Sequence, residues 1–351
     1  MDEIVITHDY YPVIMCEKEP SMQEWEALYD AAEQFKEEEC WDHMSDDDIF
    51  GVKDIETGEI GYCCIMGAGG EHFALAVYRG SKGLDGLLKL RYGEVDPNNT
   101  GVLHMNDCLM ASFEDRKYLD ERDRKIIKKL GLKFRGRNAW PLFRDYKPGY
   151  HPWFLNSKDV RSLTTALKQS IEVCKKIKED PELLYLEEGY LVRVPHKEGD
   201  GIVWKDERIE PEQCVSDVKS TDIQIHDERL EKINKEYRGT WEIGAFRNPE
   251  GVQEDSKRPY YPKTIVYVEQ DSGMILSFFI CKSEDYHEDI VDHFISVLEQ
   301  SDVLPQNIVA TDEEVLNLMY PITEKMCIML FRSDHLEMVD EVKDHMFNFY
   351  R

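Results

Sequence analysis

Residues 62–80, YCCIMGAGGEHFALAVYRG, decide how the first part of this 351-residue chain folds. They place a glycine-rich turn, GAGGEH, between two apolar runs. A phosphate-binding loop would lead from a strand into a helix and close with Gly-Lys-Ser/Thr. Here the turn leads into FALAVY, whose composition favours a strand. We therefore predict a β-hairpin in which Gly67, Gly69 and Gly70 supply positive φ angles.

Further apolar runs continue this pattern. Turn signals separate IFGV, IGYCCIM and FALAVY, which predicts three strands of an antiparallel meander at residues 49–52, 60–66 and 73–78. Upstream, Ser21 and Glu24 have the spacing of a capping box that begins a helix. Apolar residues at helical spacing predict the clearest helix at 157–179. Strands and helices of this kind predict an α+β fold class.

A polar, proline-rich segment at residues 247–263 has neither helical nor strand periodicity, so we interpret it as a linker. Beyond it, TIVYVE and MILSFFIC predict a hairpin that alternating helices and strands follow. The sequence thus predicts an N-terminal α+β region at 1–246, with antiparallel strands, and a small C-terminal α/β domain at 264–351. The N-terminal region can divide further near residues 150–200.

The bulk composition limits the function. The formal net charge is −28, which repels polyphosphate and makes nucleic acid an unlikely partner. Nine cysteines occur without a C-x-x-C pair, and the N-terminus lacks a signal-peptide pattern, so we expect reduced thiols in the cytoplasm. The longest apolar run, MILSFFIC, is too short to span a bilayer. We expect a soluble cytoplasmic protein with no membrane partner.

Two pairs of segments carry a resemblance. DIFGVKDIETGEIGYCCIMGAGGEHFALAVYRGSKGL (48–84) and RNAWPLFRDYKPGYHPWFL (137–155) resemble an N-terminal domain of unknown function found in bacterial proteins. RPYYPKTIVYVEQDSGMIL and LPQNIVATDEEVLNLMYP resemble a second domain of unknown function that often accompanies it. The resemblance implies a bacterial, cytosolic, two-domain protein, and it implies no activity, cofactor or catalytic residue.

The most unusual composition is at residues 115–147, which carry twelve lysines and arginines in an acidic chain and run into an aromatic segment. Such residues can bind phosphate or stack on planar groups, and they can also dock onto an acidic part of the same chain. The aromatic segment WPLFRDYKPGYHPWF can alternatively be a loop packed over a core. The candidate partner-binding residues are Arg135, Arg137, Trp140, Arg144, Tyr150 and Trp153.

An enzymatic alternative rests on the C-terminal carboxylates. The order of hairpin, helix and strand there is similar to the ribonuclease H-like arrangement, in which carboxylates at strand ends hold divalent metals. The metal ligands would be Asp271, Asp312 and either Asp340 or Glu341. This would make the protein a metal-dependent phosphodiesterase or nuclease.

Three observations weigh against that alternative. Only two strands precede the first helix where the ribonuclease H-like arrangement has three. Thr311 and Glu314 form a capping box around Asp312, and Asp271 lies in a hairpin turn. Separately, Asp289 and His293 in EDYHEDIVDH (284–293) are one helical turn apart and could share a metal ion, but the periodicity of the segment leaves its charges on a solvated helix face. The leading hypothesis is a non-enzymatic binding protein without a cofactor, whose partner is a protein or a small ligand.

Overall fold

The computed structural model describes residues 18–93, 106–185, 188–199, 201–212, 227–254, 257–281 and 286–348, without the side chains of the last two. Two of the nine cysteines, Cys16 and Cys214, and positions 255 and 256 of the predicted linker lie outside these residues. The chain separates into two units. The first comprises Met1–Gly80, Cys108–Asp145 and Trp153–Pro211, and the second comprises Ser81–Asp107, Tyr146–Pro152 and Glu212–Arg351.

The first unit is built on a seven-stranded sheet. In chain order its strands are β1 (Ile49–Lys53), β2 (Ile60–Met66), β3 (Ala74–Arg79), β4 (Cys108–Glu114), β5 (Trp140–Tyr146), β6 (Tyr190–Glu198) and β7 (Gly201–Ile209). Across the sheet the order is β5-β4-β3-β2-β1-β6-β7. The consecutive pairs from β1 to β4 are antiparallel, and β6 runs parallel to β1. The predicted meander is confirmed.

The hairpin between β2 and β3 has the predicted glycine turn, with one difference. Gly67 and Gly70 have φ angles of +139° and +76°, whereas Gly69 is not among the positive-φ residues. Gly67 is also required for space, because a Cβ there would lie 2.8 Å from Cδ1 of Phe73. Two of the three glycines therefore have the expected conformational role.

Helices bury one face of this sheet. They are α1 (Met22–Glu37) and α4 (Ser157–Glu179), and the short helix α3 (Glu121–Lys129) precedes β5 in the chain. Helix α2 (Gly80–Arg91) follows β3, and all but its first residue belong to the second unit. The Ser21–Glu24 capping box begins α1, as predicted. Leu28 and Leu163 are fully buried and share one core cluster with Ile65 of β2. Burial of each such side chain stabilises the fold by about 1.5–3 kcal/mol.

Strand β5 differs from the sequence interpretation, in which its residues belonged to a loop. It pairs with β4 at the edge of the sheet. Pro141 obscures the strand in the sequence, but an edge strand tolerates proline because one row of its N–H groups needs no partner. Asp145 continues the antiparallel pattern by exchanging backbone hydrogen bonds of 2.8 and 2.9 Å with Trp153.

The second unit contains a five-stranded sheet. Its strands are β8 (Thr240–Arg247), β9 (Lys263–Glu269), β10 (Met274–Ile280), β11 (Asn307–Ala310) and β12 (Met329–Arg332), in the order β10-β9-β8-β11-β12. Strand β9 is antiparallel to both of its neighbours, β8 and β10, and β11 and β12 run parallel to β8. Four helices complete the unit after residue 226: α5 (Asp227–Leu230), α6 (His287–Gln300), α7 (Glu313–Lys325) and α8 (Glu337–Asn348).

The pairing of β8 differs from the predicted domain boundary. The sequence analysis placed residues up to 246 in the N-terminal region, but β8 forms the centre of the C-terminal sheet. Residues 247–263 are thus a connection within one unit, from β8 to β9. Three strands therefore precede α6, which removes one objection to the ribonuclease H-like arrangement. Long-range pairing of this kind leaves no local signal in the sequence.

Helix α7 runs through Pro321, which the sequence analysis expected to kink or divide the helix. Met319 and Ile322 on either side of this proline are buried in the core of the unit. Tertiary packing holds the helix together across the missing N–H group. No helix in the described ranges is both long and apolar enough to cross a membrane.

Candidate functional site

The six residues predicted as a partner-binding surface are divided between the two units. Tyr150 belongs to the second unit, and the other five belong to the first. Arg135 and Arg137 are exposed in the connection between α3 and β5. Trp140 is half-buried against the core, with its ring 5.7 Å from that of Phe134.

Arg144 has a structural role. Its guanidinium donates two hydrogen bonds of 2.9 and 2.6 Å to the two carboxylate oxygens of Asp123 on α3. The side chains of Arg144 and Asp123 are only 14% and 9% exposed. The Cζ atom of Arg144 also lies 4.8 Å from the ring centroid of Phe154, which follows Trp153. A buried bidentate ion pair fixes β5 to α3 and leaves Arg144 little capacity to bind a partner.

Tyr150 lines a cavity in the second unit, which we call the basic cavity. The cavity has a volume of about 500 Å³. It is lined by residues from several parts of the second unit: Lys147, Pro148, Gly149, Tyr150, Arg247, Glu254, Lys257, Arg258, Tyr260, Tyr261, Pro262, Lys263, Cys281 and Tyr286. It lies beyond the carboxyl end of β8, the position at which open α/β sheets commonly bind ligands.

Backbone hydrogen bonds form the wall of the basic cavity. The N–H of Tyr261 donates to the carbonyl of Gly149 at 2.8 Å, and the N–H of His151 donates to the carbonyl of Pro259 at 2.9 Å. Val252 and Tyr260 exchange two further bonds of 2.7 and 2.9 Å. The described residues of the segment that the sequence analysis interpreted as a linker are therefore ordered structure, which positions their side chains.

Arg247 is packed into this wall. Its guanidinium donates to the carbonyl of Tyr261 at 3.0 Å. It also lies against Gly149, where a Cβ atom would be 2.5 Å from the Cζ atom of Arg247. Gly149 has a φ angle of +81°, which a glycine adopts without strain. Glycine at position 149 thus allows the guanidinium to line the cavity.

The floor of the basic cavity is a buried ionic cluster. Lys263, whose side chain is 8% exposed, pairs with Glu314 and lies 3.2 Å from Asp312. Glu314 also accepts hydrogen bonds from the Tyr286 hydroxyl at 3.1 Å and from His287 at 2.8 Å. Burial would raise the pKa of Glu314, but the charge of Lys263 and these donors lower it to about 2. Burial raises the pKa of Tyr286 to about 12.

The lining of the basic cavity contrasts in charge with the chain. Five cationic residues (Lys147, Arg247, Lys257, Arg258 and Lys263) line it with one carboxylate, that of Glu254. The carboxylates of Asp312 and Glu314 below Lys263 offset the charge of that lysine. In addition, the ring of Tyr150 lies 4.9 Å from Nζ of Lys147 and 5.4 Å from Cζ of Arg258. The cavity can therefore hold an anion next to an aromatic surface.

One local feature of the sequence points to this cavity. Residues 257–263, KRPYYPK, combine three cations with two tyrosines in a strongly acidic chain. Their proline content suggested a linker instead. The contributions of Lys147 and Tyr150 come from a segment about a hundred residues away, which no local pattern connects to Arg247.

The predicted metal ligands do not come together. Asp271 lies in the turn after β9, two residues beyond Glu269, which pairs with Trp241 near the start of β8. Asp312 lies two residues beyond Ala310 of β11, which pairs with Ile243 of β8, so it lies towards the opposite end of the sheet. At 3.3 Å per residue, these positions are roughly 20 Å apart along the strands. Asp340 pairs with His335 at 2.8 Å. Within the described ranges, no three His, Cys, Asp or Glu residues form a group that could hold a metal ion.

The other acidic residues of this region have structural partners. Asp312 is itself the N-cap of α7 and accepts from the N–H of Val315 at 3.1 Å, in place of the predicted Thr311. Glu242 on β8, which the sequence analysis did not consider, is 2% exposed. It accepts from the N–H groups of Met338 and Val339 at 2.9 and 3.1 Å. Both carboxylates thus satisfy the free N–H groups of helix N-termini.

Comparisons with known families agree with the two-part resemblance. Residues 25–193 match the model of a domain of unknown function (DUF7309), and residues 228–347 match that of a second domain of unknown function (DUF6930). The second match includes β8, as the sheet does. No curated protein matches the chain. The chain is therefore a two-domain protein that joins a DUF7309 domain to a DUF6930 domain.

Proposed function

We propose that this protein is a non-enzymatic binding protein whose C-terminal unit holds a small organic anion in the basic cavity. The ligand carries at least one phosphate or carboxylate group next to a planar group. The charge reversal carries this proposal: five cations and one carboxylate line the cavity in a chain of net charge −28. Close to the cavity, the electric field of its cations attracts anions. At long range, the net negative charge of the chain repels them.

The two parts of the ligand have separate contacts. Arg258 and Lys257 supply charge at the opening, and the guanidinium of Arg247 can donate to two oxygens of one group. The ring of Tyr150 offers a face on which a planar group can stack. A volume of about 500 Å³ suits a molecule of the size of a mononucleotide. A long nucleic acid strand would meet the acidic surface beyond the cavity.

The enzymatic alternative has less support. The strand order supplies the three antiparallel strands of the ribonuclease H-like arrangement, but Asp271 lies apart from Asp312, and the carboxylates of Asp312 and Asp340 pair with Lys263 and His335. We extend the proposal to the bacterial cytoplasm on the family resemblance. The seven described cysteines form no disulfide, which is consistent with that compartment.

A thermal-shift panel tests the proposal. The probes are inorganic phosphate, pyrophosphate, adenosine monophosphate and uncharged adenosine, each at equal ionic strength. Mass action predicts a melting temperature that rises with the concentration of a bound anion. We expect pyrophosphate and adenosine monophosphate to raise the melting temperature and adenosine to leave it unchanged. Equal effects of adenosine and its monophosphate would contradict a site that selects charge.

A further inference from the structure

Strand β10 has an unusual outer edge. It is the last strand of its sheet, and within the described ranges no strand pairs with its outer side. Its sequence, MILSFFI, contains neither a charged residue nor a proline. Four of its large apolar side chains are exposed: Met274 by 57%, Ile275 by 49%, Phe278 by 59% and Ile280 by 38%. An edge of this composition is open to pairing with another strand.

The other three sheet edges are protected in ways that β10 is not. Strand β5 contains Pro141 together with the charged pair Arg144 and Asp145. Strand β7 carries four consecutive charged residues at 205–208, and β12 has only four residues and ends in Arg332. Charges, prolines, short length and β-bulges are devices by which proteins keep sheet edges from pairing. Of these devices β10 has a shift of register between Ile275 and Ser277. Only β10 among these described edges combines seven residues with no charge and no proline.

A groove runs beside this strand. It has a volume of about 700 Å³, and the apolar part of its lining includes Leu276 on β10 and Val297 on α6. Three carboxylates, Glu269, Asp271 and Asp302, and one arginine, Arg238, also line it. Its charge is therefore opposite to that of the basic cavity. An apolar groove with acidic residues next to an open strand has the features of a site for an extended, basic peptide.

We propose that β10 binds an extended segment of another protein by strand addition. The backbone of the segment would hydrogen-bond to the outer edge of β10, and every second side chain would be apolar and enter the groove. Lysine or arginine residues of the segment would meet Glu269, Asp271 and Asp302. A second copy of this chain fits less well, because Met274–Ile280 has no basic residue and each copy carries a net charge of −28. This proposal does not depend on the basic cavity.

Fluorescence polarisation with synthetic peptides tests this proposal on the full chain. The probe is labelled KVTVKVTK, and its charge-reversed counterpart is EVTVEVTE. Two further versions carry N-methyl groups on alternate residues, one version for each edge of the peptide. We expect saturable binding of the basic peptide, at least tenfold weaker binding of the acidic peptide, and loss of binding for one of the two methylated versions.

Matched variants assign the binding to β10. Phe278→Glu should weaken the basic peptide at least tenfold, and Phe331→Glu on β12, where the side chain is 48% exposed, should not. Circular dichroism is the control that checks whether both variants fold. Absence of binding, equal binding of both charge forms, or equal binding of both methylated versions would overturn the proposal. So would a dimer that Phe278→Glu converts to a monomer, since a second copy would then occupy the edge.

Discussion

The guanidinium of Arg247 occupies the space in which a side chain at Gly149 would begin, with 2.5 Å between its Cζ atom and that Cβ position. We predict that Gly149→Ala displaces this guanidinium and weakens anion binding in the basic cavity. The left-handed backbone at φ +81° adds a destabilisation of about 1–2 kcal/mol. Calorimetric titration with pyrophosphate and chemical unfolding measure the two effects.

The control for this prediction is Gly93→Ala. Gly93 has a similar φ angle of +72°, and a Cβ atom there would meet nothing within 4 Å. It should lose a comparable amount of stability and keep its affinity for pyrophosphate. Equal loss of affinity in both variants would show that strain alone, and not the position of Arg247, changes binding.

The buried hydroxyl of Tyr267 should lower the stability of the fold. The hydroxyl is buried and has no hydrogen-bond partner in the described part of the structure, while the ring stacks on Phe294 with centroids 6.1 Å apart. Tyr267→Phe removes the unsatisfied group and keeps the ring, so we predict a gain of about 1 kcal/mol. Urea unfolding measures it. Tyr286→Phe, which removes the hydroxyl that donates to the Glu314 carboxylate, should instead lose stability. A loss for Tyr267→Phe would mean that its hydroxyl has a partner in solution.

Glu314 makes stability depend on pH. Its pKa is about 2 in the folded protein, below the ordinary value of 4.5, so the unfolded chain binds the extra proton between these values. This contribution is therefore fully present above pH 4.5 and is lost as the pH falls towards 2. The shift corresponds to a contribution on the order of 3 kcal/mol. Urea unfolding at pH 6 and pH 3 should show a smaller pH dependence in Glu314→Gln than in the wild type. Equal dependence would contradict the ionic cluster.

The ion pair between Asp123 and Arg144 tests whether Arg144, a predicted partner-binding residue, instead has a structural role. Asp123→Ala leaves the Arg144 guanidinium, 14% exposed, without its carboxylate. We predict a loss of about 3–5 kcal/mol, because an unpaired charge then remains buried. Glu121→Ala on the same helix breaks only an exposed pair with Lys125 and should change little. Similar small effects of both substitutions would return Arg144 to the candidate binding residues.

Local patterns predicted most of the individual elements. The helix that the apolar periodicity predicts at 157–179 has these bounds in the structure, and twelve of its residues are buried. The hairpins at β2–β3 and β9–β10 follow from their turn residues. Pairings between distant segments were not predictable in this way. The placement of β8 in the C-terminal sheet and the pairing of Tyr150 with Tyr260 both depend on contacts across long stretches of chain.

The candidate site was less predictable than the fold for the same reason. The sequence predicts partner binding at the basic run of 115–147 and the aromatic segment at its end, because so many cations are unusual in an acidic chain. In the structure α3 and β5 use Arg144 internally, and Arg122 pairs with Glu19 at 2.5 Å. Of the six candidate residues, only Tyr150 lines the basic cavity. Charge density along a sequence does not show which cations converge in space.

A calorimetric titration of pyrophosphate into the wild type and two charge-reversal variants tests the anion site in the basic cavity most directly. Lys257→Glu changes an exposed residue of the basic cavity, and Lys232→Glu makes the same charge change at an exposed position outside its lining. We predict at least tenfold weaker binding for Lys257→Glu, near-wild-type binding for Lys232→Glu, and weaker binding of all three proteins at higher salt. Absence of pyrophosphate binding to the wild type, or equal weakening by the two variants, would contradict an anion site in this cavity.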